Sequence, residues 1–131
     1  MQFEQFPLEL LSNFISLIVV FAIFYRFFQY KQKLDVIKGL EKLHEQNSLT
    51  PEDKEFIKTN FQEYSYKLHK QTGLIKFMYP FFILITGGLI LIFSFSEALI
   101  HLNVIVVIFI YLHIVRIHLN NFVNFLKELQ E

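Results

Sequence analysis

His101, His113 and His118 stand out chemically in this 131-residue chain, because a neutral imidazole nitrogen can ligate a transition metal or a haem iron. Two imidazoles share one helix face when they are three or four residues apart. Here the separations are 12 and five, and neither of the other long apolar stretches contains a histidine. A metal would need ligands from a second subunit, so no cofactor is expected. His101 and His118 are expected near the two ends of an apolar span, and His113 is expected to hydrogen-bond within a helix packing. His44 and His69 fall in polar sequence and read as solvated surface residues.

Ser12, Asn13, Ser16 and Asn103 place further polar groups in apolar sequence. Such residues inside a membrane mark either helix contacts or a wet path, and these four are the candidates to line a pore. Thr86, Gly87 and Gly88 sit mid-stretch, where two glycines weaken a helix by up to about 1 kcal/mol each relative to alanine. A close backbone approach would compensate, so the three read as a helix-packing face, with a gating hinge as the alternative. Pro80, nearby, marks a first turn or a kink. Catalysis has no support: G-x-S-x-G, H-E-x-x-H and glycine-rich phosphate loops are all missing, and no close acidic pair falls in the apolar stretches. The chain reads as non-enzymatic.

Three spans must position these groups. With 53% hydrophobic and only 18% charged residues, the chain has more apolar surface than a small soluble domain can bury. The stretches Leu10–Tyr25, Phe77–Ser96 and Ala98–Val115 are uncharged when His101 and His113 are neutral. A hydrocarbon core takes roughly 20 helical residues, and each stretch approaches or meets that length once its flanks (Leu8; Arg26 and the following phenylalanines) are included. Tryptophan is absent, so tyrosine and phenylalanine must supply the interfacial aromatics. The start "MQFEQFPLEL" has glutamates and no cation, which is wrong for a cleavable signal, so the first span reads as retained. The absence of cysteine removes disulfides and thiolate sites.

All 12 lysines and arginines fall between the first and second spans or after the third, whereas Glu4, Glu9 and Glu97 fall on the other side. Cytoplasmic flanks collect lysine and arginine, so the N-terminus is expected outside and the C-terminus in the cytoplasm. The inner surplus is only 12 cations over nine acids, which is too weak to argue for nucleic acid. The expected architecture is an all-α membrane protein with three transmembrane helices. It divides into helix 1 with an outer N-terminus (1–30), a cytoplasmic helical hairpin (31–73), helix 2 (74–96), and helix 3 with a cytoplasmic helical tail (97–131).

Within the hairpin, Thr50 suits an N-cap, Pro51 the first helical position, and Glu52 and Asp53 the positive end of the dipole. A helix should begin there and run toward Thr72, with Gly73 ending or bending it. Val36, Leu40 and Leu43 before the turn, and Ile57, Phe61, Tyr64 and Leu68 after it, recur at three and four residues. In the tail, Leu119, Phe122, Leu126 and Leu129 continue that spacing, from a third helix expected to start at a Ser96 cap. These eleven residues form one cytoplasmic interaction seam, closed within one subunit or between subunits in coiled-coil fashion. The alternative is a tail lying on the membrane surface as an amphipathic helix.

"LEKLHEQNSLTPEDKEFIKTNF" resembles the short helical module called SHOCT, over residues 36–61. Leu40, Leu43, Leu49, Thr50, Glu52 and Asp53 follow its scheme of a leucine-spaced helix, a turn and an acidic helix start. Asn47 stands in the place of the module's glycine, and Phe56 falls about two residues late. The resemblance implies an accessory or assembly role and brings no catalytic residue. Together these features point to a small multi-pass protein of a bacterial inner membrane, acting as a scaffold or accessory subunit. Its expected partners are the lipid bilayer and either further copies of itself or other membrane-protein subunits. The alternative is a pore-forming or channel subunit.

Overall fold

The computed structural model describes residues 2–130, with side chains from Glu9 onward, so the side chains of Glu4 and Leu8 lie outside the described residues. The described chain is all-helical: α1 (Gln2–Glu45), α2 (Pro51–Ile92) and α3 (Phe95–Gln130). Each is long and apolar enough to cross a membrane. At about 1.5 Å per residue the 44 residues of α1 extend about 66 Å, roughly twice a hydrocarbon core of about 30 Å. Separate span and hairpin helices are therefore replaced by continuous ones. Gly73 does not end α2, which continues for 19 residues to Ile92; a single glycine penalty of about 1 kcal/mol is too small to stop a helix so long. Pro80 also lies inside α2, not in its first turn.

Local chemistry fixes both turns. Asn47 has φ 55°, the left-handed conformation that asparagine tolerates best after glycine. Its N–H donates to the carbonyl of His44 at 3.1 Å, and Ser48 N–H donates to that of Leu43 at 2.8 Å. This pair of bonds is the Schellman ending, which satisfies two orphan carbonyls of α1. Three residues after Asn47, Thr50 Oγ1 accepts from Asp53 N–H at 3.0 Å, while Thr50 N–H donates to Asp53 Oδ2 at 3.1 Å. That reciprocal pair starts α2 as the sequence predicts, with aspartate in the capping-box role usually taken by glutamate. Between α2 and α3 the turn falls at Phe93 and Ser94, earlier than Glu97. Ser94 Oγ accepts from Glu97 N–H at 3.4 Å, so Ser94 and not Ser96 is the cap. Glu97 then occupies the first turn of α3, where the helix dipole favours an anion.

The helices contribute to two compact units: Met1–Phe24 with Gly73–Ile114, and Tyr25–Thr72 with Val115–Glu131. The second unit holds 11 of the 12 cations, leaving Lys76 to the first. Its core is Ile37, Leu40, Ile57, Tyr64, Phe122, Leu126 and Leu129, contributed by all three helices. Fully burying each such side chain is worth about 1.5–3 kcal/mol, which makes this a real hydrophobic core despite its small size. The first unit is built differently. Ser12, Ser16, Ile75 and Ala98 are its buried residues among those described, whereas Phe21, Ile83, Leu84 and Leu91 stay between 64% and 88% exposed. Apolar surface of that extent is unstable in water and costs nothing in lipid.

Candidate functional site

In the second unit a polar and aromatic layer joins α1 to α3. His118, Asn121 and Phe122 lie three and four residues apart and share one face of α3, opposite Phe27 and Tyr30 of α1. The His118 ring stacks on Tyr30 with centroids 4.2 Å apart and planes 24° apart, and Phe27 meets it edge-on at 5.0 Å. Asn121 Nδ2 donates to the Tyr30 hydroxyl oxygen at 3.2 Å. Phe122 continues the layer, with ring centroids 5.0 Å from Tyr30 and 5.3 Å from Tyr64. His118 is only 9% exposed. Burial holds its pKa below the usual histidine range, and the neighbouring Arg26 charge pushes it the same way. The neutral ring is therefore the form this layer accommodates.

Beside the layer a cleft of about 40 Å³ is lined by Arg26, Gln29, Tyr30, Lys33, Val115, His118, Leu119 and Phe122. Its ionisable lining is cationic or neutral and includes no acid. Lys33 also places its Nζ 5.3 Å from the Tyr64 ring centroid, and Lys67 Nζ approaches that ring at 5.6 Å. Lys67 is bonded in addition to Glu63 at 2.9 Å, and this bond and charge hold the exposed Glu63 carboxyl below its ordinary range. A wider cleft of about 390 Å³ opens at the inter-helix turn, with Leu49, Ile57 and Leu129 as its apolar part and His44, Lys54, Lys58 and Gln130 as its polar part.

The first unit contains a second polar tie. Ser12 Oγ lies 3.1 Å from His101 Nδ1, and Phe93 packs against the same imidazole at 5.0 Å. Ser16 is buried one turn along α1, and among the described residues its hydroxyl has no hydrogen-bond partner. His113 sits among rings, 4.9 Å from Phe109 and 6.4 Å from Tyr79. Among the described residues no three histidine, aspartate or glutamate side chains gather as metal ligands.

Of the residues considered for a pore, Ser12 and Ser16 are buried within the chain, while Asn13 and Asn103 are exposed. Thr86 is half-buried, and its hydroxyl is without a partner among the described residues. A Cβ built on Gly87 or Gly88 would meet nothing within 4 Å, so neither glycine serves a close helix approach inside this chain. Along the interaction seam, Leu40, Ile57, Tyr64, Phe122, Leu126 and Leu129 come together, and Phe61 and Leu119 pack against them. Leu43 and Leu68 are half-buried, and Val36 is 54% exposed.

The seam of α1 runs instead through Tyr30, Ile37 and Leu40, at spacings of seven and three. Ile37 is missed by reading back four residues from Leu40 when three was the operative step. Tyr30 is missed because a tyrosine beside an apolar span reads as an interfacial anchor. Leu49, Val123 and Phe125 also pack against the core. His118, just past the third apolar span, is enclosed by Phe27 and Tyr30. No family model, curated protein or solved structure matches this chain.

Proposed function

We propose that this chain is a non-enzymatic multi-pass protein of an inner membrane, with its N-terminus outside and its charged three-helix unit in the cytoplasm as a scaffold or accessory subunit. The carrying observation is a contrast between the two units. One keeps a seven-residue apolar core inside and carries 11 of the 12 cations, while the other leaves its large apolar side chains facing outward. Lipid solvates the outward apolar faces, and the clustering of cations favours the cytoplasmic bank for the charged unit. The SHOCT resemblance at the inter-helix turn agrees with an assembly role.

Because the seam residues pair within one copy, contacts with further copies or other subunits fall on surfaces outside it. Val36, Phe56 and Tyr66, away from the apolar spans, are among the exposed apolar residues of the charged unit, at 47–69%, and are candidate anchors. The natural absence of cysteine makes the reading directly testable. A Lys42→Cys variant should react with an impermeant maleimide only in inverted vesicles, and a Ser96→Cys variant only in intact cells. The reverse pattern would overturn the orientation. A photo-crosslinking side chain at Val36 should yield a discrete adduct in native membranes. An adduct of twice the chain mass supports a homo-oligomer and a different mass supports an accessory subunit, whereas unchanged monomer removes the scaffold reading.

A further inference from the structure

We propose that the cleft between Arg26, Tyr30, Lys33 and His118 holds the phosphate of an anionic phospholipid headgroup. This rests on the membrane reading above and adds a ligand to it. Size is the first argument. A water needs about 10–15 Å³, so a cleft of about 40 Å³ has room for a small polar group and not for a whole headgroup.

Chemistry is the second. Arg26 and Lys33 bring two positive charges to the lining and Gln29 an amide, and no carboxylate lines the cleft to repel an anion. The third is height. Arg26 is the first charged residue after the uncharged run Leu10–Tyr25, the level at which a headgroup meets water if that run crosses the bilayer. Val115, at the end of the third apolar run, gives the bilayer side of the cleft an apolar edge, a feature a free phosphate would not use. Basic pockets between helices at the cytoplasmic face are a recognised form of anionic-lipid site.

The test uses the full chain in nanodiscs of phosphatidylcholine, alone or mixed with phosphatidylglycerol, followed by native mass spectrometry of retained lipid. Wild type should retain phosphatidylglycerol in preference to phosphatidylcholine. Arg26→Gln with Lys33→Gln should weaken that retention roughly tenfold, while Lys38→Gln with Lys42→Gln, an equal charge change elsewhere, should leave it intact. Gln29→Trp, which fills the cleft without removing charge, should behave like the first pair and covers the case in which that pair misfolds.

Equal loss in both double variants, or no preference in wild type, overturns the proposal and leaves the membrane reading standing. If inorganic phosphate binds the chain in phosphatidylcholine nanodiscs as well as the lipid does, the site belongs to a free phosphate and the lipid assignment fails. A chain that stays in solution and never enters phosphatidylcholine nanodiscs overturns both readings.

Discussion

Ser12 Oγ and His101 Nδ1, 89 positions apart in sequence, lie within hydrogen-bonding distance at 3.1 Å and tie α1 to α3. Ser12 is 8% exposed, so its hydroxyl has little bulk water as an alternative partner. Interhelical hydrogen bonds between membrane helices average about 0.6 kcal/mol and reach about 1.7. A double-mutant cycle with Ser12→Ala and His101→Phe, followed by thermal unfolding in mild detergent, should give a coupling in that range. Additive losses would show that the pair is close without being bonded.

Leu126 is 1% exposed and lies in the core shared by the three helices of the charged unit, whereas Val36 is 54% exposed. Leu126→Ala should destabilise the chain by about 2–5 kcal/mol, since transfer and cavity terms add. Val36→Ala should stay within about 0.5 kcal/mol. Ile37→Ala should resemble Leu126→Ala more than Val36→Ala, which makes the three variants a direct check on the seam of α1. Loss of the bundle's helical signal on heating is the measurement.

That seam also marks how far the sequence could be read. Helix class, the three apolar spans and the Thr50 cap were legible because each depends on local composition or on contacts three to four residues apart. Most of the core was legible as well, since Leu40, Ile57, Tyr64, Phe122, Leu126 and Leu129 obey a helical repeat. The choice between Val36 and Ile37 was not, because two adjacent apolar residues satisfy a spacing of three or four equally well and only the partner helix decides. Asn47 ending α1 had a visible signal, an asparagine just after a basic last turn containing Lys42 and His44. The Ser12–His101 and Tyr30–Asn121 ties had none, because contacts 89 and 91 residues apart leave no trace in periodicity.

Gly87 and Gly88 separate a role inside the chain from one between chains. With nothing within 4 Å of a methyl group placed at either position, Gly87→Ala should be tolerated sterically and raise helix stability by up to about 1 kcal/mol. If copies of the chain meet at this face, the larger Gly87→Leu should lower the oligomer fraction in detergent while unfolding of the single chain changes little. An oligomer unaffected by Gly87→Leu would move the interface to another surface.

His118 lies beyond the third apolar span and gives the charged unit a predictable response to acid. Burial, with Arg26 beside it, depresses its pKa in the folded chain, so between the folded and unfolded values the unfolded chain binds more protons. Stability from the neutral ring is therefore fully present above about pH 6.5, the ordinary histidine value, and is lost as pH falls from there through the folded value. The groups around the ring are Phe27 and Tyr30, with Arg26 and Lys33 along the same cleft, so no carboxylate among them offsets the penalty of protonation. Replacing His118 with Phe keeps an aromatic surface against Tyr30 and removes the titration. Melting temperatures measured from neutral pH down to about pH 5 should fall less steeply for that variant than for wild type. Equal slopes would assign the acid sensitivity to the carboxylates or to other histidines.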